Sequence, residues 1–105
     1  MRRIHIALAV DDLELSIADY TERLGAPPVA IVPGKYALWR TAEVNLSINS
    51  DVHAAQRLRH LGFEDDDVVT KSESPDVNGL RWESFNAMLQ DEAINAVYGV
   101  PTIPE

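Results

Sequence analysis

Two alternating stretches constrain this chain more than any other feature. In RIHIALAV (3–10), Ile4, Ile6, Leu8 and Val10 alternate with His5, Ala7 and Ala9. In EVNLSIN (43–49), Val44, Leu46 and Ile48 alternate with Asn45, Ser47 and Asn49. Side chains in a strand point to opposite faces with a period of two. Each stretch therefore has one branched apolar face and one small or polar face. On the second face of the first strand, a single imidazole stands among alanines.

The segment after the first strand reads as a helix. Asp11-Asp12 stops the strand, and Asp11 followed by Glu14 resembles a capping box, in which a carboxylate takes a free helix N–H group. Leu13, Ile17, Tyr20 and Leu24 form an apolar stripe at helical spacing. Gly25 ends the helix and Pro27-Pro28 prevent its resumption. VAIV (29–32) and KYALWRT (35–41) read as strands on either side of a Pro33-Gly34 turn.

A second helix is expected from Asp51, with Val52, Ala55, Leu58 and Leu61 as its stripe and Gly62 as its end. DDDVVTKSE (65–73) reads as a strand behind an acidic turn, and PDVNG (75–79) as a turn cluster. LRWESFN (80–86) reads as a strand that alternates Leu80/Trp82/Ser84 against Arg81/Glu83/Phe85. QDEAINAVYG (90–99) suits a short helix, and VPTIPE (100–105) is expected to be loose or packed on a partner. On this reading His53 and His60 lie on the solvated face of the second helix. Glu64–Asp67 is a solvated turn without the ordered oxygen alternation of a hard-cation loop.

At 105 residues the chain is expected to form one domain with a modest core. It has no cysteine, which excludes disulfides, thiolate metal sites and cysteine nucleophiles and fits a reducing compartment. A formal net charge of −8 repels phosphate backbones and argues against nucleic-acid binding. No stretch is long and apolar enough to span a membrane, and the short run behind the two N-terminal arginines lacks the body of a signal peptide. The expected location is the cytoplasm. No glycine-rich phosphate loop, nucleophile elbow or catalytic triad is visible.

One internal echo bears on architecture. ERLGAPPVAIV and RHLGFEDDDVV carry their Leu-Gly pairs at 24–25 and 61–62. The first unit reads β-α-β-β-β, and the second reads α, β, β, without an opening strand of its own.

HIALAVDDLELSIADYTERLG resembles the opening strand and helix of the vicinal oxygen chelate superfamily, which includes glyoxalase I, bleomycin-resistance proteins and extradiol dioxygenases. SPDVNGLRWESFN resembles its closing turn and strand, and RWESFN…DE is most similar to the cadmium-induced protein and organoarsenical lyase group. The resemblance covers about residues 3–86. It implies an α+β fold of paired βαβββ modules forming a half-open barrel around a divalent metal. Module one is expected over about 3–50 and a second module, lacking its first strand, over about 51–99. His5 corresponds to the first-strand metal ligand and Glu83 to the closing glutamate. Asn45 falls where the first module often carries a glutamate. Arsenical lyases of this kind need cysteines, which this chain does not have.

An imidazole and a carboxylate suit a borderline divalent ion such as Zn, Ni, Fe or Mn, with open positions for two substrate oxygens. Such an ion acts as a Lewis acid. Arg81 lies on the same side as Glu83 and competes as its neutralising partner. Tyr36, Trp39, Asn45, Trp82 and Phe85 are the candidate walls of a small-molecule site. Three functions follow: a metal-dependent lyase, isomerase or dioxygenase; a metal-free drug- or toxin-sequestering binding protein; or a site-less dimeric interaction domain. The unpaired edge left by a missing strand argues for a homodimer.

Overall fold

The computed structural model describes residues 1–54 and 57–101. Nine elements follow in chain order: β1 (Arg2–Val10), α1 (Leu13–Leu24), β2 (Ala30–Val32), β3 (Tyr36–Arg40), β4 (Val44–Ser50), β5 (Arg57–Asp65), β6 (Ser72–Pro75), β7 (Arg81–Phe85) and α2 (Ala87–Tyr98). The strands form one mixed seven-stranded sheet in the order β2-β3-β4-β1-β5-β7-β6. The class is α+β, as expected.

The central strand is β1, parallel to β4 on one side and antiparallel to β5 on the other. The alternation read from the sequence is the one that builds both faces. Ile6, Leu8 and Val10 join Leu46, Ile48, Ala37, Trp39 and Leu13 in a core beneath α1. The opposite face carries His5, Ala7 and Ala9, all buried. It is covered by α2, where Ile94 packs against Val32, Tyr36 and Leu38, and Tyr98 stacks on Tyr36 with ring centroids 5.1 Å apart.

The first helix is capped by Asp12 rather than Asp11. Asp12 has extended backbone and accepts from the Leu15 amide at 3.0 Å, the reach of an N-cap side chain to the third helical residue. The helix ends at Gly25, whose φ of 68° is left-handed. The helix α2 begins at Ala87 behind an Asn86 cap, three residues earlier than the composition of 90–99 implied.

The expected second helix is absent from its place. Residues 51–54 make a turn, with the Ala54 amide donating to the Asp51 carbonyl, and Arg57–Asp65 is strand β5. The stripe residue Ala55 lies outside the described residues, as do 102–105 of the terminal VPTIPE segment. The reason is tertiary. A central strand has two edges of N–H and C=O groups, and β4 satisfies only one. β5 supplies the other, in register from Arg2↔Asp65 to Ala9↔Arg57. The opening strand expected to be missing from the second half is therefore present. What the described residues lack is a helix between β5 and β6. The strand expected over 65–73 is likewise displaced, to Ser72–Pro75.

Candidate metal centre

A single row of side chains crosses the middle of the sheet on the α2 face. Asn45 of β4 lies opposite His5 of β1, His5 lies opposite Gly62 of β5, and Gly62 lies opposite Glu83 of β7. His60 occupies the next position along β5 on this face, opposite Ala7. The alanine leaves the space its imidazole fills. Gly62 is required by the approach of β7: a Cβ there would meet the Glu83 carbonyl oxygen at 2.2 Å. The glycine read as a helix end is thus a close-packing residue between the strands that bear His60 and Glu83.

His5, His60 and Glu83 are all buried, and one donor atom from each lies within 4.8 Å of the others. The two Nε2 atoms are 2.9 Å apart, and His60 Nε2 is 2.5 Å from Glu83 Oε2. The edge of the His5 ring meets Phe85, centroid to centroid 4.9 Å.

A buried polar network fixes which nitrogen of His5 faces its neighbours. Glu64 is 1% exposed and bears the charge at its origin. It pairs with Arg3, and its Oε1 sits 3.1 Å from Arg40 Nε, an ion-pair contact without hydrogen-bond alignment. A carboxylate only accepts, so the Asn45 amide must turn its Nδ2 toward Glu64, at 2.9 Å. Its Oδ1 then faces His5 Nδ1 at 2.8 Å and accepts from it. The Asn45 carbonyl accepts from the same nitrogen at 3.2 Å. The proton of His5 therefore sits on Nδ1, and Nε2 offers its lone pair to the cluster. Gln90 of α2 locks the amide from above, accepting from Asn45 Nδ2 at 2.7 Å and donating to Oδ1 at 3.1 Å.

The electrostatics follow the burial. Desolvation is the largest influence on His5 and lowers its pKa below 6.5, against the Asn45 hydrogen bond and with the help of His60. Burial alone would raise Glu83. Hydrogen bonds from His60 and Lys71, and their charges, outweigh it and hold the carboxyl down to about 2. Lys71 Nζ lies 2.9 Å from Glu83 Oε1 and Arg81 Nη2 lies 3.2 Å from His60 Nδ1. Beside the triad opens a cavity of about 160 Å³, bounded by Tyr36 and Phe85 of the sheet and by Leu89, Ile94, Val97 and Tyr98 of α2.

The structure brings His5 and Glu83 together, and places Asn45 behind His5, fully buried, as the residue that orients it. Tyr36 and Phe85 line the cavity; Trp39 and Trp82 do not. Trp39 is in the α1 core, donating to the Ala26 carbonyl at 3.1 Å. Trp82 sits on the opposite face beside Phe63 and donates to Asp76. His60, read as a solvated helical residue, is 7% exposed and central. Its signal was legible: His60, Gly62 and Glu64 alternate with Leu61 and Phe63 as His5 and Ala7 alternate with Ile4 and Ile6. His53 remains exposed, as expected.

No protein-family model matches the chain. A curated relative, the trivalent organoarsenical cleaving enzyme of Thermomonospora curvata, is 41% identical over 70 residues. The alignment covers 64% of this chain and 46% of that protein, so the chain spans about half the length of the relative. That likeness fits the vicinal oxygen chelate resemblance. No helix among the described residues is long and apolar enough to cross a membrane.

Proposed function

We propose that this protein is a divalent-metal enzyme of the glyoxalase type, a lyase or dioxygenase, with His5, His60 and Glu83 as its protein ligands. The observation that carries the reading is the convergence of two imidazoles and one carboxylate, from three strands, at the wall of a cavity. The donor set fits the ion. Ligands at about 2.1 Å from a metal on adjacent octahedral positions stand about 3.0 Å apart, close to the 2.9 Å between the two Nε2 atoms, whereas His60 Nε2 and Glu83 Oε2, at the hydrogen-bond distance of 2.5 Å, must part by about 0.5 Å to share the ion. Two histidines and a carboxylate on one side leave positions open for substrate oxygens, the pattern of non-haem iron sites. A bound ion supplies Lewis acidity there. The chain's own residues hold it in place: Asn45 fixes the His5 tautomer, Gly62 lets β5 and β7 close, and Lys71 occupies the second oxygen of Glu83.

On this reading the sheet is a glyoxalase-like pair of modules. The first is β1-α1-β2-β3-β4. The second is shortened, with its opening strand β5 present and one helix and one strand fewer before β6. The relative supports a metal-dependent lyase as the reaction class. Its arsenical substrate is not carried over, because trivalent arsenic seeks thiolates and this chain has no cysteine.

One observation favours a second reading, a metal-free small-molecule binding protein. A guanidinium only donates, so Arg81 facing His60 Nδ1 suits a histidine that keeps its proton on Nε2 and donates to Glu83. Ligation through Nε2 needs the other tautomer, and Arg81 must then turn away. Its side chain is half-exposed and can turn further toward Glu73, whose carboxylate already lies 3.5 Å from Arg81 Nε.

Calorimetric titration of chelator-stripped protein with Zn²⁺ and Co²⁺ separates the two. The metal reading expects one saturable site per chain, lost in His60→Ala and in His5→Ala with the fold retained by circular dichroism. Absence of saturable binding, or binding that survives both substitutions, overturns it.

A further inference from the structure

We infer that the cavity takes a small organic anion, its charged end on the Arg59 guanidinium and its apolar body along α2. This deepens the reading of the cavity as the substrate site and rests on it.

The inference starts from an irregularity in β5. The β1–β5 ladder pairs Ala7 with His60 but Leu8 with Leu58, so Arg59 is an extra residue opposite no partner. In a regular strand, Arg59 and His60 point to opposite faces. Here both line the cavity. A bulge of this kind re-aims a side chain, and bulges gather beside functional sites for that reason. The displaced residue brings a cation to the same side as the ligand triad.

That cation is uncommitted. Arg3, Arg23, Arg40 and Arg81 each have a carboxylate partner; of the other arginines, Arg2 lies over the Phe63 ring and only Arg59 lines the cavity. Arg59 has no hydrogen bond or ion pair among the described residues, although the chain carries 17 acidic residues against nine basic ones. The nearest cavity carboxylate, Glu83, is already engaged by Lys71 and His60. The cavity's apolar lining comes from Leu89, Ile94 and Val97 of α2, with Phe85 and the stacked Tyr36–Tyr98 pair, and its polar lining includes His5, His60, Lys71 and Glu83. Arg59 is itself exposed, so what it offers is geometry: a guanidinium fork matches the two oxygens of a carboxylate. At about 160 Å³ the space is smaller than the roughly 300–1,000 Å³ of drug-sized sites. It suits a single-ring or short-chain acid rather than a nucleotide or peptide.

The test uses benzoate and its neutral near-isostere benzamide. Each is titrated into chelator-stripped protein and followed by amide chemical shifts, so that coordination to metal plays no part. The expected result is saturable benzoate binding at least about tenfold tighter than benzamide. Arg59→Gln should collapse that difference and Arg59→Lys should keep part of it, both with an unchanged thermal midpoint. Equal binding of the two probes, selectivity that survives Arg59→Gln, or saturation by neither overturns the inference. A parallel Zn²⁺ titration keeps the two readings apart. Saturable zinc without benzoate preference defeats the anion site alone, and benzoate preference without zinc binding defeats the metal centre alone.

Discussion

The two faces of the sheet are built from alternate residues of the same strands, yet they are held together by different forces. The α1 face is dry. Trp39 and Ile48 are fully buried there with Ala37 and Leu46, and their stability comes from removing apolar surface from water. The α2 face sets a buried polar row, His5, Asn45, Ser47, His60, Glu64 and Glu83, beside a smaller apolar cluster of Val32, Tyr36, Leu38 and Ile94. Polar groups are tolerated in such a place only when each has a partner. The chain Arg3/Arg40–Glu64–Asn45–His5 supplies partners for Glu64, Asn45 and His5 across four strands, and Lys71 and Arg81 serve Glu83 and His60. The α1 face carries the larger apolar core, and the α2 face adds a polar network that holds a geometry.

Substitutions that separate cohesion from geometry test this contrast most sharply. Trp39→Ala on the dry face removes a fully buried indole and is expected to cost about 3–5 kcal/mol in denaturant titration. A loss well under that range would mean that the α1 core is not the principal source of stability. Next in size is Gly62→Ala, which pushes a methyl into the Glu83 carbonyl. We expect about 1–3 kcal/mol of destabilisation, as for other overpacked sites, together with weaker metal binding as β7 moves off β5. Wild-type metal affinity in that variant would show that the triad does not depend on the strand spacing.

Asn45→Ala leaves the dry face untouched and frees His5 to take either tautomer. Metal affinity measured by calorimetry should fall about 10- to 100-fold, the usual effect of losing an orienting partner. An unchanged affinity would place the orienting role elsewhere. The smallest effect is expected at Tyr36. Burial raises its phenol pKa from 10 to about 12, against a hydrogen bond with Ser47. A folded-state pKa above the unfolded value means that this contribution is complete below pH 10 and is lost as pH rises through about 12. Stability should therefore fall across that alkaline window, and fall less steeply in Tyr36→Phe. Identical alkaline profiles for the two proteins would remove the tyrosine from the account.

The first half of the chain was readable because local and tertiary demands agree there. The alternation of Ile4–Val10, the stripe from Leu13 to Leu24 and the left-handed Gly25 each point to one structure. In the second half they conflict. Val52, Leu58 and Leu61 fit a helical stripe, and the strand Arg57–Asp65 forms because β1 has an edge to satisfy. That one misreading hid His60, and with it the third member of the site.

By itself the sequence determined the position of the first helix and the pairing of an apolar face with one bearing His5 and Asn45, because period and capping act over a few residues; the α+β class came with the family resemblance. It also marked His5 and Glu83, through the resemblance their flanking segments carry. Only the tertiary structure decided that residues 57–65 extend, that Trp39 and Trp82 face away from the cavity, and that a bulge turns Arg59 toward it. Those outcomes depend on pairing between segments distant in the chain, Ala7 opposite His60 for the strand and its bulge and Leu61 opposite Trp82 for β7, and on the packing of α1 over Trp39. The alternation of His60, Gly62 and Glu64 with Leu61 and Phe63 is compatible with a strand and the spacing of Val52, Leu58 and Leu61 with a helix, and no local pattern chooses between them.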